Sequence, residues 1–264
     1  MTRAHIAIAG SGLAGLHSAV TLSASADVTV YERLPVPGGE HWEDVEHRRL
    51  VRQAITNGVR FCAGTQVIRW EGDRLLAVGE RGGIAPADAL VVATGHRPST
   101  RSELGINGDR CAGVLPATLA LHLLKQQVHL GDNVIIAGTS HWSAECATEL
   151  NSGPSPAASV VSIGVGARIS ATHGMPRIAG VTVESETESR HLTCNCLILG
   201  AAPVPYRNID GAILDDAPVV FAQRLTDEHE PAGRIGIRSA HQALALAGHQ
   251  LPHVPVTPRI GLPQ

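Results

Sequence analysis

Aromatic residues are scarce, with two Phe, two Tyr and three Trp among 264 residues. A core of this chain must therefore be filled mainly by Ala, Val, Leu and Ile. No two cysteines have Cys-x-x-Cys spacing, and the five are scattered and odd in number. That excludes a CxxC dithiol relay, and makes a reducing cytoplasm the simplest home. No apolar run reaches the length of a bilayer, so no membrane span is expected. The first five residues lead straight into a strand, which predicts no signal peptide. Positive charge is neither abundant nor concentrated. There are 21 Lys+Arg against 24 Asp+Glu, for a net charge of −3. Arg48-Arg49 is the only basic cluster, so no nucleic-acid or anionic-membrane partner is expected. Neither a GxSxG elbow nor an HExxH pair is present. At 44% hydrophobic and 17% charged, the composition is that of a folded globular chain.

What the sequence does have is glycine, 28 in all, and some of it is ordered into a pattern. Residues 5–9 read as a short buried strand, followed by Gly10-Ser11-Gly12-Leu13-Ala14-Gly15 and a helix over 13–23. A second strand over 28–31 ends at Glu32. In this order the glycines have distinct tasks. Gly10 permits the tight turn, Gly12 lets a diphosphate approach the main chain, and Gly15 lets the helix lie on the sheet. The helix N-terminus offers unbonded N–H groups and a partial positive charge to an anion. A carboxylate at position 32 can accept both hydroxyls of an adenosine ribose and would repel a 2′-phosphate.

Further along, 35–39 is a turn-rich loop. Residues 43–57 form an expected amphipathic helix, with Val45, Val51, Ala54 and Ile55 near one face and Gly58 as its stop. Strands are expected at 59–63, 66–70, 74–78 and 90–93, the last ending in Thr94-Gly95. After a polar connection over 100–116 and a helix over 117–127, the opening pattern returns. A strand over 133–137 leads into Gly138-Thr-Ser140-His-Trp-Ser143, a helix and a strand over 159–163. Strands are expected at 176–183 and 191–199, then a helix at 237–247 and a Pro-rich tail after 251. The repeat implies an α/β fold of two Rossmann-like, three-layer ββα units, the second inserted in the first. The expected boundaries are 1–105 with 206–264, and 106–205.

Several residues then carry a resemblance. Gly10–Gly15 with Glu32, Pro37-Gly38-Gly39, and Val91-Val92-Ala93-Thr94-Gly95 together resemble FAD/NAD(P)-binding oxidoreductases. The type is thioredoxin-reductase-like, of the pyridine nucleotide-disulfide group. Within it, Ala93-Thr-Gly-His-Arg-Pro, 104–114, 176–183 and Cys194-Asn-Cys-Leu-Ile-Leu-Gly200 look like flavoprotein subunits of amine and imino-acid dehydrogenases. Examples are sarcosine oxidase α, dye-linked proline dehydrogenase, opine oxidase and hydrogen cyanide synthase.

The resemblance implies an FAD-dependent oxidoreductase or flavoprotein subunit. Residues 1–105 with 206–264 would bind FAD, and 106–205 would be an NAD(P)-binding-like domain. It would transfer two electrons between a small amine/imino-acid or NAD(P)H donor and a downstream acceptor. Cofactor-binding residues would be Gly10, Ser11, Gly12, Leu13, Ala14, Gly15, Glu32, Arg33, Gly39, Val67, Ala93, Thr94 and Gly95. Thr65-Gln66-Val67 sits where that group makes a main-chain contact to adenine. The partner would be a small-molecule substrate or a partner dehydrogenase subunit, in a homo- or hetero-oligomer. The alternative is a non-catalytic nucleotide-binding or assembly subunit of a multi-subunit dehydrogenase.

The departures matter as much. At the second motif only Gly138 is kept, with Ser140 and Ser143 in place of glycines as candidates for a second nucleotide. No acid ends the following strand, and Arg168 is the nearest candidate for a 2′-phosphate. The loop after Gly39 is short where the group covers its flavin. Its C-terminal Gly-Asp pair is not evident, with Asp227 a weak substitute. Cys194 and Cys196, two apart on an expected strand, should face one way, as a redox or metal pair or, more simply, as two small buried residues. His41 and His47 with Glu43, Asp44 and Glu46 form a polar cluster read as a solvated helix start rather than a metal site, and His249 and His253 are separated by Pro252. No metal is expected. His96 follows the Thr94-Gly95 turn and is either near the flavin or a satisfied loop histidine. No catalytic acid or base stands out.

Overall fold

The computed structural model describes residues 3–39, 42–206, 209–212, 217–222 and 230–248. In chain order the elements are β1 (Ala4–Ala9), α1 (Leu13–Leu22), β2 (Ala26–Tyr31), α2 (Val45–Thr56), β3 (Arg60–Cys62) and β4 (Thr65–Trp70). Next come β5 (Arg74–Gly79), β6 (Gly83–Pro86), β7 (Ala89–Val92), β8 (His96–Pro98), β9 (Asn107–Gly108), β10 (Val114–Pro116) and α3 (Ala117–Lys125). They are followed by β11 (Asn133–Ala137), α4 (His141–Ser152), β12 (Ser159–Ile163), β13 (Ala167–His173), β14 (Gly180–Ser185) and β15 (Ser189–Thr193). The last are β16 (Cys196–Leu199), β17 (Pro203–Pro205), β18 (Val219–Phe221) and α5 (Ala232–Leu246). The chain divides into two compact units, 1–95 with 206–264, and 96–205. Residues 96–105 thus cluster with the second unit, not with the first as the sequence reading has them.

The first unit is built on a parallel sheet, β18-β7-β1-β2-β3. Strands β7 and β18 are unbroken apolar runs and β1 nearly so, because both faces are covered. Side chains alternate between two cores. Ile6, Ile8, Val28, Val30, Ala89 and Val91 pack with α1 and α5 on one face. Ala7, Ala9, Tyr31, Leu90 and Val92 pack on the other with Trp70, Leu75 and Ala77 of an antiparallel meander, β4-β5-β6. Three layers result. Helices α1 and α5 approach closely, since a Cβ on Gly236 would lie 2.3 Å from the Ala14 carbonyl oxygen. Ser18 Oγ bridges them, 2.9 Å from the Ala14 carbonyl and 2.8 Å from that of Gly236.

The second unit repeats the plan with a four-stranded parallel sheet, β10-β16-β11-β12. Val134, Ile136, Cys196 and Ile198 face α3 and α4, while Ile135, Ala137, Leu197 and Leu199 face the sheet β15-β14-β13-β9. Here the structure corrects the sequence reading. The expected strand over 191–199 is two strands in two sheets. Cys194 N–H bonds the Ala179 carbonyl, and Asn195 N–H bonds that of Asn133. The chain therefore crosses layers between them, and Cys194 and Cys196 lie in different cores. The expected strand at 176–183 starts only at Gly180, and β13 fills part of what read as loop. On α2 the buried residues are His47, Leu50 and Ala54. Val45 and Ile55 are exposed, so the expected apolar face is displaced. No helix among the described residues is long and apolar enough to cross a membrane.

Candidate functional site

The first strand–turn–helix corner is the candidate site. Gly10 has φ +103°, in the left-handed region, and its N–H donates to the Tyr31 carbonyl. A Cβ there would lie 2.3 Å from the Ala93 carbonyl oxygen, so the turn is pressed against the end of β7. At Gly15 a Cβ would meet the Gly10 carbonyl oxygen at 2.1 Å, which is what lets α1 begin so close to the turn. Gly12 differs from both: its absent side chain would meet nothing within 4 Å. Gly12 is also the N-cap of α1, with no side-chain cap and no acid in the first turn. The leading N–H groups of the helix, where positive partial charge collects, lack a side-chain acceptor.

Glu32 follows β2 and is 7% exposed. Its Oε2 accepts from Ser11 N–H at 3.0 Å and Ser11 Oγ at 2.6 Å, and its Oε1 accepts from Leu34 N–H at 2.8 Å. A carboxylate has about four acceptor positions. Three are taken here, so the expectation that Glu32 can accept two ribose hydroxyls narrows to one position on Oε1 unless Ser11 Oγ turns away. Ser11, fully buried, also accepts from Gly38 N–H at 2.8 Å. Its side chain holds the Pro37-Gly38-Gly39 loop to the turn and is structural. Gly39, φ +62°, would place a Cβ 3.5 Å from Glu32 Oε2. Arg33 is exposed and stacks its guanidinium over the Tyr206 ring, 5.1 Å from the centroid. Tyr206 N–H bonds the Gly95 carbonyl, so the chain re-entering this unit passes beside the Ala93-Thr94-Gly95 turn. No sequence motif marks Tyr206, and Gly38 is marked only as part of the Pro37-Gly38-Gly39 turn. Val67 is buried on β4, which Thr65 N–H ties to the Glu32 carbonyl. The Thr94 hydroxyl is buried with no hydrogen-bond partner among the described residues, which costs free energy unless a further group meets it.

At the second corner the chain's own side chains take part of the polar surface. Ser140 caps α4, its Oγ accepting from Ser143 N–H at 3.4 Å. Ser143 Oγ donates to the Gly200 carbonyl at 2.7 Å. His141 and Trp142 stand together with ring centroids 4.4 Å apart. Arg168, the candidate for a 2′-phosphate, pairs with Glu184 at 2.6 Å on an exposed face.

The other clusters dissolve. Asp44 pairs with buried His47, and Glu46 with His17, while no group of three metal-ligating side chains exists among the described residues. His41, Asp227, His249, His253 and the tail after 251 lie outside the described residues. All five cysteines are free. Burial pushes the thiols of Cys146 and Cys196 up to about 12 and that of Cys194 to about 11. None of these three offers a thiolate near neutral pH.

Residues 1–115 match the family model described as pyridine nucleotide-disulphide oxidoreductase. No curated protein matches the chain. Among solved structures it resembles L-proline dehydrogenase from P. horikoshii, with 18% identity and TM-score 0.62, covering 94% of this chain and 56% of that one. Thioredoxin reductase from T. acidophilum gives 15% identity and TM-score 0.60, covering 94% and 98%. Bacillithiol disulfide reductase from Bacillus cereus gives 14% identity and TM-score 0.65, covering 94% and 99%. At these identities the likeness is one of fold. The chain spans little more than half of the proline dehydrogenase chain but nearly all of the two reductases.

Proposed function

We propose that this chain belongs to the pyridine nucleotide-disulphide oxidoreductases and binds FAD through its first unit, as a flavoprotein oxidoreductase or a flavoprotein subunit of one. The observation that carries the reading is the uncapped N-terminus of α1 beneath Gly12, where main chain faces open space. Main-chain amides of Gly12, Leu13 and Ala14 would hold the diphosphate. Glu32 would accept from the ribose through its remaining Oε1 position, with Arg33, Gly39 and Val67 around the adenosine. Ala93-Thr94-Gly95 would lead toward the flavin, and the orphaned Thr94 hydroxyl is a polar group that a cofactor could satisfy. When bound, FAD supplies two-electron chemistry. The chain's own part is to bind, orient and shield. The donor would be a small amine or imino acid, or NAD(P)H, and the acceptor a downstream partner. Five free thiols fit a reducing compartment such as the cytoplasm.

A second reading is favoured by the second corner. With α4 capped by Ser140 and Arg168 paired, NAD(P) has no evident seat. The chain would then hold its nucleotide as a non-catalytic subunit of a larger dehydrogenase.

The test is equilibrium dialysis of the purified chain against FAD, ADP and FMN. FAD and ADP should bind and compete, and FMN, lacking the adenosine, should not. Absence of both FAD and ADP binding would sink the proposal. Anaerobic NADH, NADPH and amino acids then separate the two readings, since prompt bleaching of the flavin would reject the non-catalytic one.

A further inference from the structure

A cavity of about 270 Å³ opens in the first unit beside β3, the edge of the parallel sheet. Neither the Gly10–Gly15 turn, Glu32 nor Ala93–Gly95 lines it, so it is separate from the nucleotide site proposed above. Its buried lining comes from Tyr31 and Cys62, the last residues of β2 and β3. Ile84 and Ala85 of β6 add apolar surface, with Ile84 68% exposed. Arg60 and Arg81 supply the charge.

Both guanidinium groups are fixed, and by neutral oxygens. Arg60 donates through Nε and Nη2 to Thr29 Oγ1, at 3.3 and 3.0 Å. Arg81 donates through Nη1 to the Phe61 carbonyl at 2.9 Å, capping the outer edge of β3. Its main-chain N–H is held by Thr65 Oγ1 at 3.1 Å. Neither arginine has an acidic partner among the described residues. Two exposed arginines thus border one hollow with no carboxylate paired to either among the described residues. Burial, then the neighbouring Cys62, raises the Tyr31 phenol above its usual range, so it remains a neutral donor. The guanidinium fork suits an oxyanion.

We propose that this cavity binds a small organic carboxylate, its carboxylate held by Arg60 and Arg81 and its apolar body set against Ile84 and Ala85. The size favours an organic acid over a bare inorganic anion, because a sulfate would leave the apolar wall uncovered.

Benzoate is the probe, with benzamide as its uncharged counterpart and sulfate as the inorganic one. Amide shifts of Gly82, Gly83 and Ile84 are followed by NMR on the full chain at low ionic strength, where exposed charges are least screened. Benzoate should shift them saturably, with a Kd of about 1 mM or tighter. Benzamide should not saturate, and sulfate should bind at least tenfold more weakly than benzoate. Arg60→Gln and Arg81→Gln should each weaken benzoate at least tenfold, with unchanged melting temperatures showing that the fold is intact. The proposal is overturned if benzamide matches benzoate, if sulfate matches it, or if either Arg60→Gln or Arg81→Gln binds benzoate as the parent does. Absence of saturation by benzoate overturns it too. No nucleotide is needed, so this result and the FAD result stand apart.

Discussion

The two strand–turn–helix corners share a plan. Gly10 and Gly138 have φ of +103° and +102° and donate to the carbonyls of Tyr31 and Ile163, at the ends of the next strands. Ala93 and Gly200, which follow the neighbouring strands, bond back to Ala9 and Ala137. They differ in where polar groups find partners. At the first corner α1 has no side-chain cap and an acid, Glu32, lies behind the turn. At the second, Ser140 caps α4, Ser143 bonds Gly200, and the place of Glu32 falls to Gly164, whose Cβ would touch only a Thr139 methyl. Backbone geometry is thus common to both corners, while capacity for a ligand is not. At the second corner the Ser143 N–H is already taken by the Ser140 cap, where at the first no side chain takes a leading amide.

The third motif position should break the comparison hardest. Gly15→Ala drives a Cβ to 2.1 Å from the Gly10 carbonyl, a backbone atom that cannot swing aside. A loss of about 3 kcal/mol is expected, in the range of overpacking and backbone clashes. At the second corner Ser143→Ala keeps the Cβ already present and removes one hydrogen bond, for about 1 kcal/mol. Urea unfolding of both variants checks this. Equal losses would mean the two helices seat on their turns alike.

Gly12→Ala separates binding from folding. Its backbone, φ −67°, suits any residue, and its Cβ would enter open space. Stability should stay within about 0.5 kcal/mol. FAD affinity should fall at least about tenfold, near 1.4 kcal/mol, because the added methyl stands where the diphosphate must approach. Dialysis and a thermal melt on the same sample decide it. Unchanged affinity would move the nucleotide elsewhere.

How much of this was legible in sequence follows the same division. The buried parallel strands β1, β7 and β11 are largely apolar runs, and the opening motif marks the strand–turn–helix corner, with Gly10 in the tight turn and Gly15 where α1 meets it. Strand β10, three residues long, carries no periodicity to read. Strands β13 and β15 alternate weakly on half-exposed faces. The break at Cys194–Asn195 was hidden because an apolar run does not show a change of sheet. On α2 the buried histidine at 47 displaced the apolar face, since partnering decides burial of a polar residue more than type does. Ser11 was named for the ligand, but its hydroxyl serves Glu32 and Gly38, a tertiary pairing that spacing alone does not show.

Ser140→Ala gives a smaller effect. Removing the cap of α4 should cost about 1 kcal/mol in stability. If the cap is what closes the second corner, the exposed amides should gain weak affinity for inorganic phosphate, read as NMR shifts at 141–144. Stability lost with no gain of phosphate binding would show that His141 and Trp142, rather than the serine, block that helix end.

The smallest effect tests whether the second unit satisfies its polar groups internally away from the corner as well. Glu103 accepts from both Arg97 guanidinium nitrogens at 2.8 Å, and from Thr100 N–H and Oγ1 at 2.7 and 2.8 Å. The Arg97 hydrogen bond first, then those of Thr100, hold its carboxyl well below the ordinary value of 4.5. A folded value below the unfolded one means the stabilisation is fully present above about pH 4.5 and is lost as pH falls toward the folded value. Because the pair is solvent-exposed, the gain is small and salt-sensitive. Glu103→Gln should therefore leave stability at pH 7 slightly reduced and flatten its decline below pH 4.5. Added salt should shrink the difference between variant and parent. If the parent's Glu103 carboxyl titrates at the ordinary carboxylate value by NMR, the turn after β8 is not held by this carboxylate, and the internal satisfaction of the second unit is confined to its glycine-poor corner.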